Sequence, residues 1–187
     1  MYMFDVETLG TESNCVVLSA AIIHFDTNEK LDYDQLLAKA LFVKFDAQYQ
    51  IKELKRTIEN ETLEWWGKQH DYVKKISMTP SADDLSPQEG ITKLRDYVNS
   101  YAGDKTMWAR GSLDQMSIDS LARMVGEEPI VRYNMWRDVR TAVDLLCETA
   151  SDGYCTVNHP TFQRHNVIKH HPTHDCALDI MMLMYGK

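Results

Sequence analysis

Three segments near the start of the chain carry the apolar, β-branched pattern of strands in a sheet. Residues 2–7, 15–26 and 41–46 are rich in Val, Ile, Leu and Phe, and the polar run LGTESN separates the first two. A polar connector leads to the third segment. Three such segments in succession predict an antiparallel meander.

Helical patterning begins after residue 60. Residues 61–70 predict a short helix, residues 78–87 predict a loop, and the run SPQE has the form of a capping box made by Ser86 and Glu89. A helix should begin at this capping box, and apolar residues recur along it at helical spacing: Ile91, Leu94, Val98 and Tyr101. The buried run TMWAR that follows this helix predicts a fourth strand.

The rest of the chain alternates between the two patterns. It predicts a helix over 113–125, a strand at 134–139, a helix over 139–148, a polar stretch through 170 and a last helix to Tyr185. Three sequential strands followed by alternating helices and strands are typical of an α/β domain, with a mixed central sheet flanked by helices. The length of 187 residues favours one domain spanning the whole chain, 1–187.

The composition, with 44% hydrophobic and 26% charged residues, is that of a folded globular protein. The longest apolar runs, VVLSAAII and ALDIMMLMY, are too short to cross a bilayer, and the first residues lack the basic start of a signal peptide. We therefore expect a cytoplasmic protein with four free cysteine thiols and no membrane partner. The net charge of −8 repels polyanions, so any nucleic-acid partner must be held locally.

Asp5 and Glu7 lie one residue apart in the first predicted strand, so their side chains project from the same face of the sheet. Two buried carboxylates repel each other and lose hydration unless a cation lies between them. The spacing therefore predicts a metal site. The alternative is an edge strand with two solvated acids.

The helix over 113–125 offers a further acid. Ile118, Leu121, Ala122 and Val125 form its inward stripe, and Asp114, four residues before Ile118, lies at the start of the same face. There the carboxylate also benefits from the helix dipole. Asp119 falls off the stripe and is expected to be solvated.

The last helix begins within HHPTHDCALDIMMLMYG. Asp175 and His174 are expected in its first turn and His170 in the loop ahead of it, where an imidazole and a carboxylate can face one spot. His171 is expected to lie on the surface of this loop.

Together these motifs resemble those of the DEDDh family of 3'-5' exonucleases. The DxE motif on the first strand, an acid that opens a mid-chain helix, and a histidine five positions before the last acid follow the family's order. The segments FDVETLG, IENETLEWW, WARGSLDQMSI, WRDVRT and HPTHDCALDIMMLMY further resemble a phage-encoded exonuclease group and its bacterial exoribonuclease relatives. The similarity spans nearly the whole chain. In the family the histidine lies five positions before the last acid, which selects His170 and excludes His171 from that role.

The resemblance implies a ribonuclease H-like fold and a two-metal-ion mechanism. It implies that Asp5, Glu7, Asp114 and Asp175 hold two Mg²⁺ or Mn²⁺ ions about 4 Å apart, the hard ions that oxygen ligands favour. His170 is then the general base. The implied product is a nucleoside 5'-monophosphate, released from the 3' end of DNA or RNA. The implied location is the cytoplasm, or the host cytoplasm if a phage encodes the protein. The wider family usually has Asn and Phe shortly before the acid that corresponds to Asp114, whereas this chain has the run ARGSLD there.

The single-stranded substrate is expected to be held by stacking and by cations. In the family the residues after the DxE motif contact the terminal bases, which implies Thr8 and, as a wedge, Leu9. Trp65 and Trp66 can stack a base, and Trp66 is the candidate for this contact. The two adjacent rings cannot both face one way, and core packing of at least one is favoured. The arginines that are candidates for phosphate contacts are Arg110, Arg137, Arg140 and Arg164. The sequence leaves open whether the protein is a monomer or a homodimer.

Three rival interpretations remain. His170, His171, His174 and Asp175 suggest a histidine-aspartate metal phosphohydrolase, although this leaves Asp5 and Glu7 unexplained. A catalytically silent module that binds nucleic-acid ends would keep the fold without the chemistry. A structural zinc site would draw on three residues of the polar stretch: Cys155, His159 and His165.

Overall fold

The computed structural model describes residues 1–187, in which a five-stranded sheet is covered by helices on both faces. The strands are β1 (Tyr2–Thr8), β2 (Val17–His24), β3 (Leu41–Lys44), β4 (Met107–Ala109) and β5 (Trp136–Asp138). The α-helices are α1 (Tyr33–Lys39), α2 (Ala47–Lys52), α3 (Asn60–Gly67), α4 (Asp71–Ser77), α5 (Pro87–Ser100), α6 (Leu113–Met124), α7 (Val139–Leu146) and α8 (Pro172–Tyr185). Two 3₁₀ helices span Tyr133–Met135 and Arg164–Asn166.

The sheet is mixed, with the order β3-β2-β1-β4-β5. The first three strands form the expected antiparallel meander, and β4 and β5 add in parallel on the other side of β1. The order in the sheet therefore differs from a meander simply extended by later strands, because the chain crosses back through α5 to place β4 beside β1. This crossover makes β1 the central strand.

Side chains of β1 alternate between two packed faces, as the pleat of a strand requires. Phe4 and Val6 join the cluster under α5 and α6, whereas Met3 joins the cluster under α1, α7 and α8. Asp5 and Glu7 follow Met3 at intervals of two residues and so share the face that α8 covers. The strand pattern thus directs both acids towards the last helix.

Several expectations from the sequence are corrected here. The polar connector before β3 contains α1, whose start is a capping box formed by Asp32 and Gln35. The helix expected over 61–70 ends at Gly67, and α4 begins separately at Asp71. The segment expected to be a strand at 134–139 opens with a 3₁₀ turn, which leaves β5 only three residues. The periodic signal is weak in segments this short, so tertiary contacts determine their secondary structure.

Other expectations are confirmed. Ser86 and Glu89 form the predicted capping box at the start of α5. All four cysteines are free thiols, two of them buried and two half-buried. No helix combines the length and the apolar character that crossing a bilayer requires.

Gly90 of α5 lies against the ring of buried Phe45, and a methyl group at this position would overlap that ring. We expect Gly90→Ala to lower the free energy of unfolding by up to about 2 kcal/mol, because overpacking costs roughly 1–3 kcal/mol and alanine regains only about 1 kcal/mol of helix propensity. Urea denaturation measures the change. The matched control is Gly67→Ala in α3, where nothing lies near the added methyl group. It should leave stability unchanged or slightly raised, and equal effects at both positions would contradict the packing argument.

Candidate active site

Asp114 is tied directly to the central strand. Its Oδ1 accepts a hydrogen bond from the backbone N–H of Val6 at 3.0 Å. β4 pairs with β1 only at Tyr2 and Met3, so the N–H of Val6 has no strand partner on that side. A buried N–H needs an acceptor. The short β4 therefore makes room for a carboxylate from the first turn of α6, and this bond places it beside Asp5 and Glu7.

Asp175 is held by the loop that precedes α8. It lies in the first turn of α8, and its Oδ2 accepts a hydrogen bond from the backbone N–H of His170 at 2.8 Å. His170 has a φ of +62°, in the left-handed region that a residue other than glycine rarely adopts. The loop thus turns sharply and brings the imidazole of His170 beside the start of the helix.

All five residues predicted to do the chemistry line one cleft of about 480 Å³. A ligand atom from each of Glu7, His170 and Asp175 lies within 4.8 Å of the others. Asp5 and Asp114 line the same cleft, and Oδ2 of Asp5 is buried without any hydrogen-bond partner. Side chains from β1, α6 and the loop before α8 therefore converge on one spot.

Burial dominates the electrostatics of this cleft. It raises the pKa of Asp5 well above the usual carboxyl range, and the charges of Asp114 and Glu7 raise it further. The pKa of Glu7 is raised in the same way, first by burial and then by the charge of Asp175. Burial also raises the pKa of Asp114 and of Asp175 to about 7. A cleft with this much uncompensated negative charge, and with an unpartnered carboxylate oxygen, fits a divalent cation.

Asp179 is a fifth acid that the sequence reasoning missed. It lies one helical turn after Asp175 on α8, is almost fully buried, and forms an ion pair with Arg110 at 2.5 Å. The available signal was an aspartate four residues after Asp175 inside an apolar helix, because this spacing repeats the same helical face.

Arg110, an expected phosphate contact, is engaged within the protein. Besides Asp179, its guanidinium donates to the backbone oxygens of Asp152 and Gly153 and lies 4.2 Å from the ring centre of Tyr154. It lines the cleft, but its role here is to fasten the 152–154 loop to α8. The same cleft is also lined by Arg140 and Arg164, whereas Arg137 lies outside it.

The expected base-contacting residues divide into buried and accessible ones. Leu9 packs in a core cluster with Trp66, and both are buried, so neither presents a surface to a base. Trp66 donates its indole N–H to the backbone oxygen of Thr8 at 2.9 Å, which confirms core packing for one tryptophan of the pair. Trp65 is 39% exposed at the cleft, and its ring meets that of His170 edge to face at 4.7 Å. Thr8 is buried but lines the adjoining cavity.

Two further expectations are wrong. Asp119 is buried rather than solvated, and it lines a cavity that residues 128–133, which follow α6, also line. His171 is half-buried rather than on the surface, and its ring packs against Phe42 and His174. Burial lowers the pKa of His171 to about 4.

The rival metal sites do not form. Nδ1 of His174 is 2.8 Å from the hydroxyl of Tyr33, and neither His171 nor His174 lines the acidic cleft. A histidine-rich phosphohydrolase centre is therefore absent. Cys155, His159 and His165 do not come together as a set of metal ligands, since Glu7, His170 and Asp175 are the one such group in the protein.

Comparison with known proteins agrees with this geometry. A family model, described as the 3'-5' exoribonuclease Rv2179c-like domain, matches residues 1–185 of the chain. A protein of Enterobacteria phage T4 named exodeoxyribonuclease is 29% identical over 205 aligned residues, which cover 99% of this chain and 88% of the phage protein. Both matches include every element that contributes to the cleft.

The raised carboxyl pKa values make stability depend on pH in the absence of divalent cations. Carboxyls in the unfolded chain ionise near pH 4, whereas Asp114 and Asp175 in the folded protein ionise near 7. Between these values the folded state holds protons that the unfolded state has lost, so raising the pH favours unfolding. We expect the melting temperature in EDTA to fall by at least about 4 °C between pH 6.5 and 8, which differential scanning calorimetry measures.

The control for this experiment is Asp5→Asn, which removes one negative charge from the cleft and should flatten the dependence on pH. Added Mg²⁺ should restore the melting temperature more at pH 8 than at pH 6.5, because ionised carboxylates bind the cation. A melting temperature that rises from pH 6.5 to 8 in EDTA would contradict the assignment.

Proposed function

Since this chain belongs to the family of Rv2179c-like 3'-5' exoribonuclease domains, we propose that it is a metal-dependent nuclease that removes nucleotides from the 3' end of single-stranded nucleic acid. Residues 1–187 form a single domain with the ribonuclease H-like fold and the DEDDh set of residues. The observation that carries the proposal is the convergence of Asp5, Glu7, Asp114, Asp175 and His170 in one cleft.

Asp5, Glu7, Asp114 and Asp175 would hold two Mg²⁺ or Mn²⁺ ions, since all four offer oxygen ligands and no thiolate lines the cleft. When bound, these ions would neutralise charge on the phosphoryl oxygens and make water a better nucleophile. The repulsion among the acids favours the loaded state, because the cations remove the energetic cost of ionising them.

His170 acts as the general base. Burial lowers its pKa, which favours the neutral ring, and a neutral imidazole has a nitrogen that can accept a proton. The backbone bond to Asp175 and the edge-to-face packing on Trp65 hold the ring at the rim of the cleft. Nearby carboxylates then stabilise the imidazolium that forms when the ring takes the proton.

Trp65 contacts the base of the terminal nucleotide. Its ring lines both the cleft and the adjoining cavity formed by Thr8, Thr11 and the acids Glu59 and Glu61. This second cavity has no basic lining residue, so it repels phosphate and favours an uncharged base or sugar. The family name refers to RNA and the name of the phage relative to DNA, and substrates with each sugar enter the test below.

We expect His170→Ala to lower kcat by about 10²–10⁴-fold, the range that a general base contributes. The assay follows the shortening of RNA and DNA oligonucleotides labelled at the 5' end, with Mg²⁺ or Mn²⁺ present. His165→Ala, a change at an exposed histidine outside the cleft, serves as the control and should keep full activity. Intact oligonucleotides with the wild-type protein, or full activity of His170→Ala, would refute the proposal. Binding without shortening would indicate a silent end-binding module.

The two tryptophans should respond differently to truncation. Trp65→Ala should raise KM about 5-fold to 150-fold, because stacking of a base is worth about 1–3 kcal/mol, while the protein stays folded. Trp66→Ala should instead lower the free energy of unfolding by about 3–5 kcal/mol, since it empties a buried site. Steady-state kinetics and urea denaturation of both variants separate the two roles. A KM for Trp65→Ala equal to that of the wild type would contradict base stacking.

A further inference from the structure

Most arginines of this acidic chain line cavities. The chain has eight arginines and a net charge of −8. All of them except Arg56 line one of three cavities: the catalytic cleft, a middle cavity and a remote cavity. Arg56 is buried and bonded to neutral acceptors. Arginine is the residue that suits phosphate recognition, through its planar set of donors.

The three cavities follow one another along the protein. Gly111 and Ser112, which line the middle cavity, directly precede Leu113 and Asp114 of the catalytic cleft. Trp136 of the middle cavity directly follows Met135 of the remote cavity. Helix α6 contributes to both ends, since Asp114 lines the cleft and Arg123, about 13–14 Å further along the helix and on its opposite side, lines the remote cavity. We refer to the three cavities, which neighbouring residues of the chain line in succession, as the track.

Most of the arginines on this track are free to bind a ligand. Arg164 at the cleft, Arg137 in the middle cavity, and Arg123 and Arg132 at the remote cavity belong to no ion pair in the protein. Carboxylates lie near some of them, as Asp119 does near Arg123, but none is within ion-pair distance of these four guanidinium groups. A polyanion that follows the track would meet them in succession.

Aromatic side chains alternate with these arginines. Tyr133, at the mouth of the remote cavity of about 690 Å³, is 83% exposed, the most of any large hydrophobic residue in the protein. Trp136 lines the middle cavity next to Arg137. Trp136 is half-buried and its ring packs against Phe4, so Tyr133 is the exposed ring on which a base can stack while nearby cations neutralise the backbone.

We propose that this track binds the single-stranded nucleic acid that lies upstream of the 3' nucleotide, and that the remote cavity is a distal site for it. The inference rests on the proposed function, since it assumes that the 3' end occupies the acidic cleft. It adds a dependence on length: a strand of two or three nucleotides reaches only the cleft, whereas a longer strand also reaches Arg123, Arg132 and Tyr133.

The test compares a 3-nucleotide with a 20-nucleotide single strand, each as RNA and as DNA. In the variant Arg123→Gln/Arg132→Gln, we expect kcat/KM on the trimer to stay within about twofold of wild type. The Kd for the 20-mer, measured by fluorescence anisotropy in an Asp5→Asn background, should rise by about tenfold or more at low salt. The slope of log Kd against log salt should fall by about 1.4, since each lost phosphate contact on a single strand removes about 0.7.

The control variant is Lys30→Glu/Lys52→Glu, which changes charge at exposed positions away from the three cavities and should leave both substrates unaffected. Tyr133→Ala should weaken binding of the 20-mer without changing the salt slope, because stacking releases no counterions. An unchanged Kd for the 20-mer in the double arginine variant overturns the track. Failure of the wild-type protein to shorten either strand overturns the proposed function instead, and the binding data still decide the track.

Discussion

Asp5 and Glu7 project from the central strand of the sheet, where a carboxylate loses most of its water. The loss of hydration costs roughly several kcal/mol for an ionised carboxylate that has no cation or hydrogen-bond donor nearby. Strand β1 is paired with β2 at both acids, and the N–H of Val6 between them is bonded to Asp114, so the two acids cannot move away from each other or from Asp114. The burial of these charges sets the conditions that the surrounding elements must meet.

The structure meets part of this cost with specific bonds and leaves part of it uncompensated. Asp114 accepts the N–H of Val6, Asp175 accepts the N–H of His170, and Asp179 is paired with Arg110. Asp5 retains an oxygen with no partner. The acids whose oxygens accept hydrogen bonds or pair with arginine are fixed in position, and the charge that remains is what would attract divalent cations to the proposed metal site. Positioning and affinity for metal therefore have the same origin.

Charge is divided along the molecule in a way that suits a polyanionic substrate. The acids meet at the end of β1, and the cavity beside Trp65 is also acidic, so phosphates are not attracted there without metal. Arg123 lies on α6 and Arg132 directly precedes the 3₁₀ turn before β5, and both line the remote cavity. A net charge of −8 opposes nonspecific adhesion to polyanions, and in the proposed track a local basic surface would restore affinity.

The sequence by itself determined the features that depend on local periodicity and spacing. Alternation in β1 placed Asp5 and Glu7 on one face, the stripe of α6 selected Asp114, and the capping box located the start of α5. Only the tertiary structure decided the rest. Contacts between distant segments place β4 beside β1, pair Asp179 with Arg110 and bury Leu9, Trp66 and Asp119. They also bring seven arginines to the walls of three cavities. Such contacts leave no periodic signal in a single sequence, because periodicity reports which face of an element is buried and not what packs against it.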